Sequence, residues 1–418
     1  MALFGCGLFR HRLTDGRRWR ADRAVTELQR TAVRAAADIN VMKEEAMHVG
    51  YGAVFQNPNN QLSDHDVWRN EIRLAEMAEP LGFDSIWGIE HHFDDYTMCP
   101  DPVQFLTYMA GRTQKAKLGS MVIVLPWHDP IRVAEQISML DHVSNGRFIL
   151  GIGRGLARIE YEGFRLDQNE GRNLFVEYAE LIINALAKGY MEGGAHTNQP
   201  RREIRPFPFK SFRGRTYAAA VSPDSAPIMA KLGAGLLVIP QKPWEAVKKD
   251  FEVYHNAWRQ YHGATPAPKP LSGGFVFVDE NQDRAEEMAM KWMAAQYKTV
   301  ITHYEMTSEK FGTQKSYEFY RQVSKFIGKH GIDGASLDYA KLMPWGTPEQ
   351  VLEKLAMVRD TIDANGFMLN FSYAGMPYDE AERNLTLFAK RVLPELKQWK
   401  TEPLQDPAEF DARQHAAA

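Results

Sequence analysis

Eight short apolar runs, separated by stretches of helical period, constrain this chain more than any other feature. They are "HVGYGAVF" (48–55), "SIWGIE" (85–90), "KLGSMVIVL" (117–125), "RFILGIG" (147–153), "TYAAAV" (216–221), "GLLVIP" (235–240), "LSGGFVFV" (271–278) and "FMLNFSYAG" (367–375). Between them lie amphipathic segments such as "DHDVWRNEIRLAEMAEPLG" (64–82), with Asp64 as a candidate cap, and "DPIRVAEQISMLDHVSNG" (129–146). Near-continuous apolar strands joined by helices predict a parallel α/β sheet covered on both faces. Eight is the barrel number, so the expected fold is a (β/α)8 TIM barrel spanning residues 46–397. Such a barrel typically needs about 250 residues, which leaves room for insertions at about 190–215 and 280–345. A doubly wound sheet is the alternative, because periodicity does not report closure.

The ends read differently. Eight arginines precede residue 42 against four acids, so the remaining chain holds 42 basic and 49 acidic residues. Residues 1–45 are expected to be a disordered or peripheral Arg-rich extension, with a targeting peptide or basic arm as the other readings. Residues 398–418 read as a tail. An acidic body argues against nucleic acid as a partner. No apolar run approaches the roughly 20 residues that cross a bilayer, so no membrane role is expected. Two cysteines, Cys6 and Cys99, are too few for a disulfide framework or a thiolate metal site. They fit a reducing, cytoplasmic setting.

In a (β/α)8 barrel the active site forms at the C-terminal ends of the strands. The second run ends in Glu90-His91-His92-Phe93, the third in Pro126-Trp127-His128, and the fourth in Gly153-Arg154-Gly155. Polar, cationic and aromatic groups therefore gather at one face, as catalysis requires. "GIGRG" (151–155) fails as a dinucleotide fingerprint, since the third glycine would fall at Leu156. What remains is an arginine at a flexible strand end. "SPDS" (222–225) precedes a helix, where hydroxyls and free N–H groups suit an anion. Serines and an arginine together are compatible with the phosphate of a mononucleotide. The aromatic-rich segment 294–326 is a candidate cover that keeps water from such a site.

Several stretches resemble one family. "EHHF" (90–93), residues 122–156, "GTPEQVLEKL" (346–355) and residues 377–396 are similar to the bacterial luciferase-like flavin-dependent monooxygenases. The resemblance runs from about 47 to 397. It implies a TIM barrel that takes reduced FMN (FMNH2) from a separate flavin reductase, uses O2 as co-substrate and oxygenates a small or medium organic substrate, commonly as a homodimer. It places the acid/base role on His91, with Glu90 supporting the flavin site. It assigns the flavin phosphate to Arg154, Arg172, Ser222 and Ser225, with Gly153 in the same loop. It puts the backbone of Met121 and Val122, often joined by a non-proline cis peptide, beside the flavin ring. Gly153 stands where luciferase has a reactive cysteine, so thiol chemistry and light emission are not implied. Val221 replaces an acid, and Trp127 and His128 are expected to reshape the substrate pocket. A deazaflavin-dependent oxidoreductase and a non-catalytic partner subunit remain the other readings of this resemblance.

Overall fold

The computed structural model describes residues 45–219, 224–315, 317–402 and 404. The Arg-rich extension, apart from its last residue, therefore lies outside the described residues, as do Val221 and Ser222. The eight apolar runs form eight parallel strands: β1 His48–Ala53, β2 Ser85–Gly88, β3 Lys117–Ser120, β4 Phe148–Gly153, β5 Thr216–Ala219, β6 Gly235–Val238, β7 Leu271–Phe275 and β8 Gly366–Asn370. Each pairs with its neighbour in sequence. Gly366 of β8 is in register with His48 of β1, so the sheet closes on itself. Closure excludes the doubly wound alternative.

Strand alternation divides the side chains between two cores. Val49, Tyr51 and Ala53 face the surrounding helices. Trp87, Met121, Ile149, Tyr217, Leu237, Leu271 and Met368 fill the barrel interior. Trp87 needs space there, and two glycines supply it. A Cβ at Gly50 would sit 2.5 Å from the indole nitrogen, and one at Gly119 would sit 2.3 Å from the ring. That nitrogen donates to Ser85 Oγ at 2.7 Å, which satisfies the one polar atom of the plug.

The third run is read in sequence as a continuous strand, but it is broken. Ser120 Oγ donates to Gly151 O and accepts from Gly151 N, at 2.8 and 2.9 Å. A Cβ at Gly151 would lie 1.9 Å from the Ser120 carbonyl oxygen, so only glycine permits this approach. The chain leaves the ladder at Ser120, passes a cis Met121–Val122 peptide, and pairs with β4 again at Ile123–Val124.

Helices follow the strands. They are α1 Asp64–Ala78, α2 Pro102–Arg112, α3 Pro130–Val143, α4 Arg158–Gly163, α5 Gly171–Lys188, α6 Ala226–Leu232, α7 Trp244–His262, α8 Gln282–His303, α9 Glu318–Leu342, α10 Pro348–Ile362 and α11 Tyr378–Arg391. The cap of α1 is Ser63, whose hydroxyl accepts from Asp66 N. Asp64 lies inside the first turn, where its charge meets the positive end of the helix dipole. Among the inserted segments, residues 190–203 form an antiparallel hairpin, and α8 and α9 pack together, with Tyr297 stacked on Tyr339 at 4.3 Å. At the other end, Glu45–Ala46 pairs with Lys400–Thr401. This pairing gives the backbone groups of both short strands partners.

Arg215, at the end of the first insertion, ties that segment to the barrel. Its guanidinium donates to both Asp141 oxygens, at 2.7 and 3.0 Å, and to the carbonyls of Phe148, Lys210 and Ser211. Both side chains are buried. Removing one member of such a pair leaves the other charge unpaired, at a cost of about 3–5 kcal/mol. Arg215→Met is therefore expected to lower unfolding free energy by that amount in urea titrations. A loss below about 1 kcal/mol would show that the pair does not hold the insertion.

Candidate active site

A cavity of about 250 Å³ opens at the C-terminal ends of the strands. Its walls are largely apolar, with Val54, Phe175, Leu237, Phe275, Val300 and Met368 among them. Of the residues singled out in the sequence, Glu90, His91, Met121, Val122 and Trp127 line it. So do Gly153, Arg154, Arg172 and Ser225. The structure therefore gathers residues from the ends of β2, β3 and β4, the first turn of α5 and the start of α6. Tyr304, Met306 and Tyr320 of the aromatic segment also contribute to the wall.

Backbone geometry decides where each group points. Gly153 packs against Val122, and a Cβ there would meet the valine methyl at 2.3 Å. Arg154 leaves β4 and lies over the Tyr317 ring at 3.9 Å, a cation–π contact that fixes its direction. Tyr161 Oη donates to the Arg154 carbonyl at 2.7 Å and fixes the loop. Trp127 stacks on Phe164, and its indole nitrogen is buried with no partner. The side-chain oxygens of Gln296 and Asn370, which also line the cavity, are likewise unpartnered.

The Glu90 carboxylate is fully buried. One oxygen accepts from Val124 N at 2.8 Å, and the other meets His128 Nε2 at 2.6 Å and His92 Nε2 at 3.2 Å. His128, expected from sequence to shape the pocket, does not line the cavity; its ring is bound to Glu90 instead. Burial opposes charge on His128, yet the Glu90 hydrogen bond and charge raise its pKa above the ordinary value. His92 packs edge-on to Trp127 and Phe164 and does not line the cavity. Adjacent histidines thus diverge, as they do along an extended backbone.

His91 faces a second buried carboxylate. Its Nδ1 lies 2.9 Å from Glu160 Oε1, and the same oxygen accepts from His92 N at 2.9 Å. Its Nε2 is 3.4 Å from Tyr304 Oη. On the far side of Glu160 stands His303, the last residue of α8, with Nε2 3.6 Å from Oε1. His303 Nδ1 bonds Asp94 Oδ2 at 2.6 Å. Burial raises the Glu160 pKa, but His91 and His303 outweigh it and hold the group down at about 2. Burial lowers that of His303, but Asp94 and Glu160 outweigh it and lift it to about 9.

Sequence reasoning did not single out Glu160 or His303. Glu160 follows "GRGLAR" with no motif to mark it, and His303 lies in an insertion. The signal on the page was the surplus of acids in "EHHFDDY", since Asp94 needed a partner. The donor atoms of His91, Glu160 and His303 lie within 4.8 Å of one another, a spacing compatible with a metal ion. In this structure His91 Nδ1 is bonded to Glu160 and His303 Nδ1 to Asp94.

Comparison with known proteins follows from this geometry. A family model described as luciferase-like monooxygenase matches residues 47–364. The alkanal monooxygenase alpha chain of Photorhabdus luminescens is 28% identical over 346 residues, covering 81% of this chain and 94% of that relative. The monooxygenase RslO1 from Streptomyces bottropensis has a TM-score of 0.65 at 24% identity, over 84% of this chain and 99% of its own. The oxygenating constituent of 3,6-diketocamphane monooxygenase from Pseudomonas putida, solved in complex with FMN, has a TM-score of 0.63 at 18% identity, over 84% and 99%. The two solved structures establish a shared fold.

The His303 pKa lies above its unfolded value of 6.5, so its contribution to stability is complete below pH 6.5. It is lost as pH rises through about 9. The full contribution is on the order of 3 kcal/mol. The stability gap between the parent and His303→Gln is expected to narrow by that order between pH 6 and pH 10 in denaturant titrations. A gap constant over that range would show that His303 is not held charged.

Proposed function

The chain belongs to the luciferase-like monooxygenase family, and from that premise we propose that it is an FMNH2-dependent monooxygenase acting on a small or medium organic molecule. The observation that carries this reading is a single apolar cavity at the barrel mouth that is lined by both His91 and two arginines, Arg154 and Arg172. Three features of the cavity fit a flavin. Gly153 keeps the β4 loop flush with Val122. The unpartnered polar atoms of Asn370, Gln296 and Trp127 await a ligand with donors and acceptors of its own. The arginines supply the charge that a phosphate requires.

When bound, reduced FMN supplies the two electrons by which one atom of O2 enters the substrate and the other leaves as water. Arg154, Arg172 and Ser225 would hold its phosphate, a role the family resemblance also gives to Ser222, and the Met121–Val122 backbone would flank its ring. Apolar walls and the Tyr304–Tyr320 segment exclude water, which otherwise diverts oxygen chemistry. His91, with Nδ1 bound to Glu160, uses Nε2 to hold or deliver a proton in the cavity. Glu90 acts at one remove, holding the strand-three end through Val124 N.

The same reading includes a separate reductase as the source of FMNH2 and a cytoplasmic setting. It also includes pairing of two chains, to which the exposed apolar side chains Tyr108, Met139 and Val143 on α2 and α3 are suited. No helix among the described residues is long and apolar enough to cross a membrane. Hydride transfer with a deazaflavin is the competing chemistry, since a solved F420-dependent secondary alcohol dehydrogenase shares the fold at a TM-score of 0.61. Anaerobic titration with FMNH2 and with reduced F420, followed by admission of O2, separates the two. Binding of F420 alone, with no oxygen uptake, would sink the monooxygenase reading.

Two variants test the roles. Arg154→Ala removes a charge-assisted contact worth about 1.5–3 kcal/mol, so FMNH2 affinity should fall by about one to two orders of magnitude while the barrel stays folded. An unchanged Kd would place the phosphate elsewhere. His91→Ala should leave FMNH2 binding nearly intact, yet cut product formation by about 10²- to 10⁴-fold and divert oxygen to hydrogen peroxide. His92→Ala, whose ring lies on Glu90, should instead lower stability. Equal losses of product from both would make the pair structural.

A further inference from the structure

Two buried polar atoms in the second carboxylate cluster are left without partners, His303 Nε2 and Glu160 Oε2. They belong to facing groups. His303 Nε2 is 3.6 Å from Glu160 Oε1, just beyond hydrogen-bond reach, and the side chains are 1% and 0% exposed. With the contacts already described, a continuous line runs from Asp94 through His303 and Glu160 to His91, and ends at the cavity beside Tyr304. The line joins the β2 loop, the helix α4 that follows β4, and the C-terminal end of α8. A helix C-terminus favours a cation, which supports charge on His303.

We propose that His303, anchored by Asp94, is a positioning residue for the acid/base step: it shares Glu160 with His91, so that His91 keeps its proton on Nδ1 and presents Nε2 to the cavity. The proposal rests on the monooxygenase reading for the use of His91, but not for the geometry. One carboxylate cannot neutralise two imidazolium rings whose centroids are 4.8 Å apart. His303 alone has a second carboxylate, Asp94, so the charge settles on it. Its pKa near 9 agrees. The other groups facing it are Tyr96, stacked at 4.3 Å, Tyr304, and Glu305, which is bonded to Arg158. Neither tyrosine bears charge near neutrality, because burial raises both. Glu160 thus serves two imidazoles, of which His303 is also held by Asp94, while His91 keeps Nε2 toward Tyr304 and the cavity.

The test needs no substrate. Nitrogen-15 NMR of histidine-labelled protein, without flavin, should show His303 still an imidazolium at pH 8 and neutral His91 as the Nδ1–H tautomer, with His91→Ala and His303→Gln used for assignment. In His303→Gln, the acidic limb of the pH profile for hydrogen peroxide release from FMNH2 and O2 should move upward by about one unit or more, since the neighbouring positive charge is gone. Asp94→Asn, at a partly exposed position, should move the His303 titration downward and serves if His303→Gln does not fold. A parent protein in which His303 titrates like an ordinary histidine, or in which His91 carries its proton on Nε2, would overturn the proposal. So would a His303→Gln profile that coincides with the parent's in a folded variant. If the protein does not react with FMNH2 and O2 at all, the monooxygenase reading fails, while the NMR result still decides the arrangement of Asp94, His303, Glu160 and His91.

Discussion

Burying a carboxylate costs several kcal/mol unless donors replace the water it loses, and around His91 the mouth of this barrel buries Glu90 and Glu160. Glu90 and Glu160 have no exposed side-chain surface. Their donors are imidazoles and backbone amides drawn from the β2 loop, the end of β3 and the tip of α8. Glu90 draws together Val124 N, His92 and His128. Glu160 draws together His91, His92 N and, at slightly longer range, His303. Satisfying these two groups therefore fixes the β2 loop, the end of β3 and the tip of α8 at once. The adjacent histidines diverge for the same reason, since each carboxylate claims one of them.

This constraint gives the cavity two chemically distinct walls. One carries Arg154 and Arg172, whose charge is permanent near neutrality. The other carries His91, bonded to the buried Glu160 that it shares with His303. Anion binding and proton exchange are therefore set by separate contacts. Apolar side chains fill the space between, which strengthens each electrostatic contact by excluding water.

The fold was legible because its signal is periodic. Eight apolar runs at helical separation specify eight strands, and each run holds one of them, the third broken after Ser120. Local chemistry was legible where neighbours in sequence act together, as in Glu90-His91-His92 at a strand end. What escaped depended on distant chain. The break in the third strand arises from Gly151, a residue of the next strand that lets Ser120 approach its backbone. His128 reads as a pocket residue because it follows Trp127, but Glu90 claims it across 38 positions. His303 is invisible without the fold, since Asp94 lies 209 residues away.

The insertion after β7 illustrates how a common barrel acquires its own chemistry. The strands that build the cavity floor owe their geometry to hydrophobic closure, which many sequences satisfy. Helix α8 adds something that closure does not require: a histidine at its C-terminal end, held where the helix dipole and Asp94 both favour charge. The next residue, Tyr304, faces the cavity beside His91 Nε2. One helix end thus carries both the charge behind the imidazole and the aromatic wall in front of it. Displacing α8 would therefore alter proton handling and cavity shape together, which makes this insertion a place where reactivity and substrate choice are coupled.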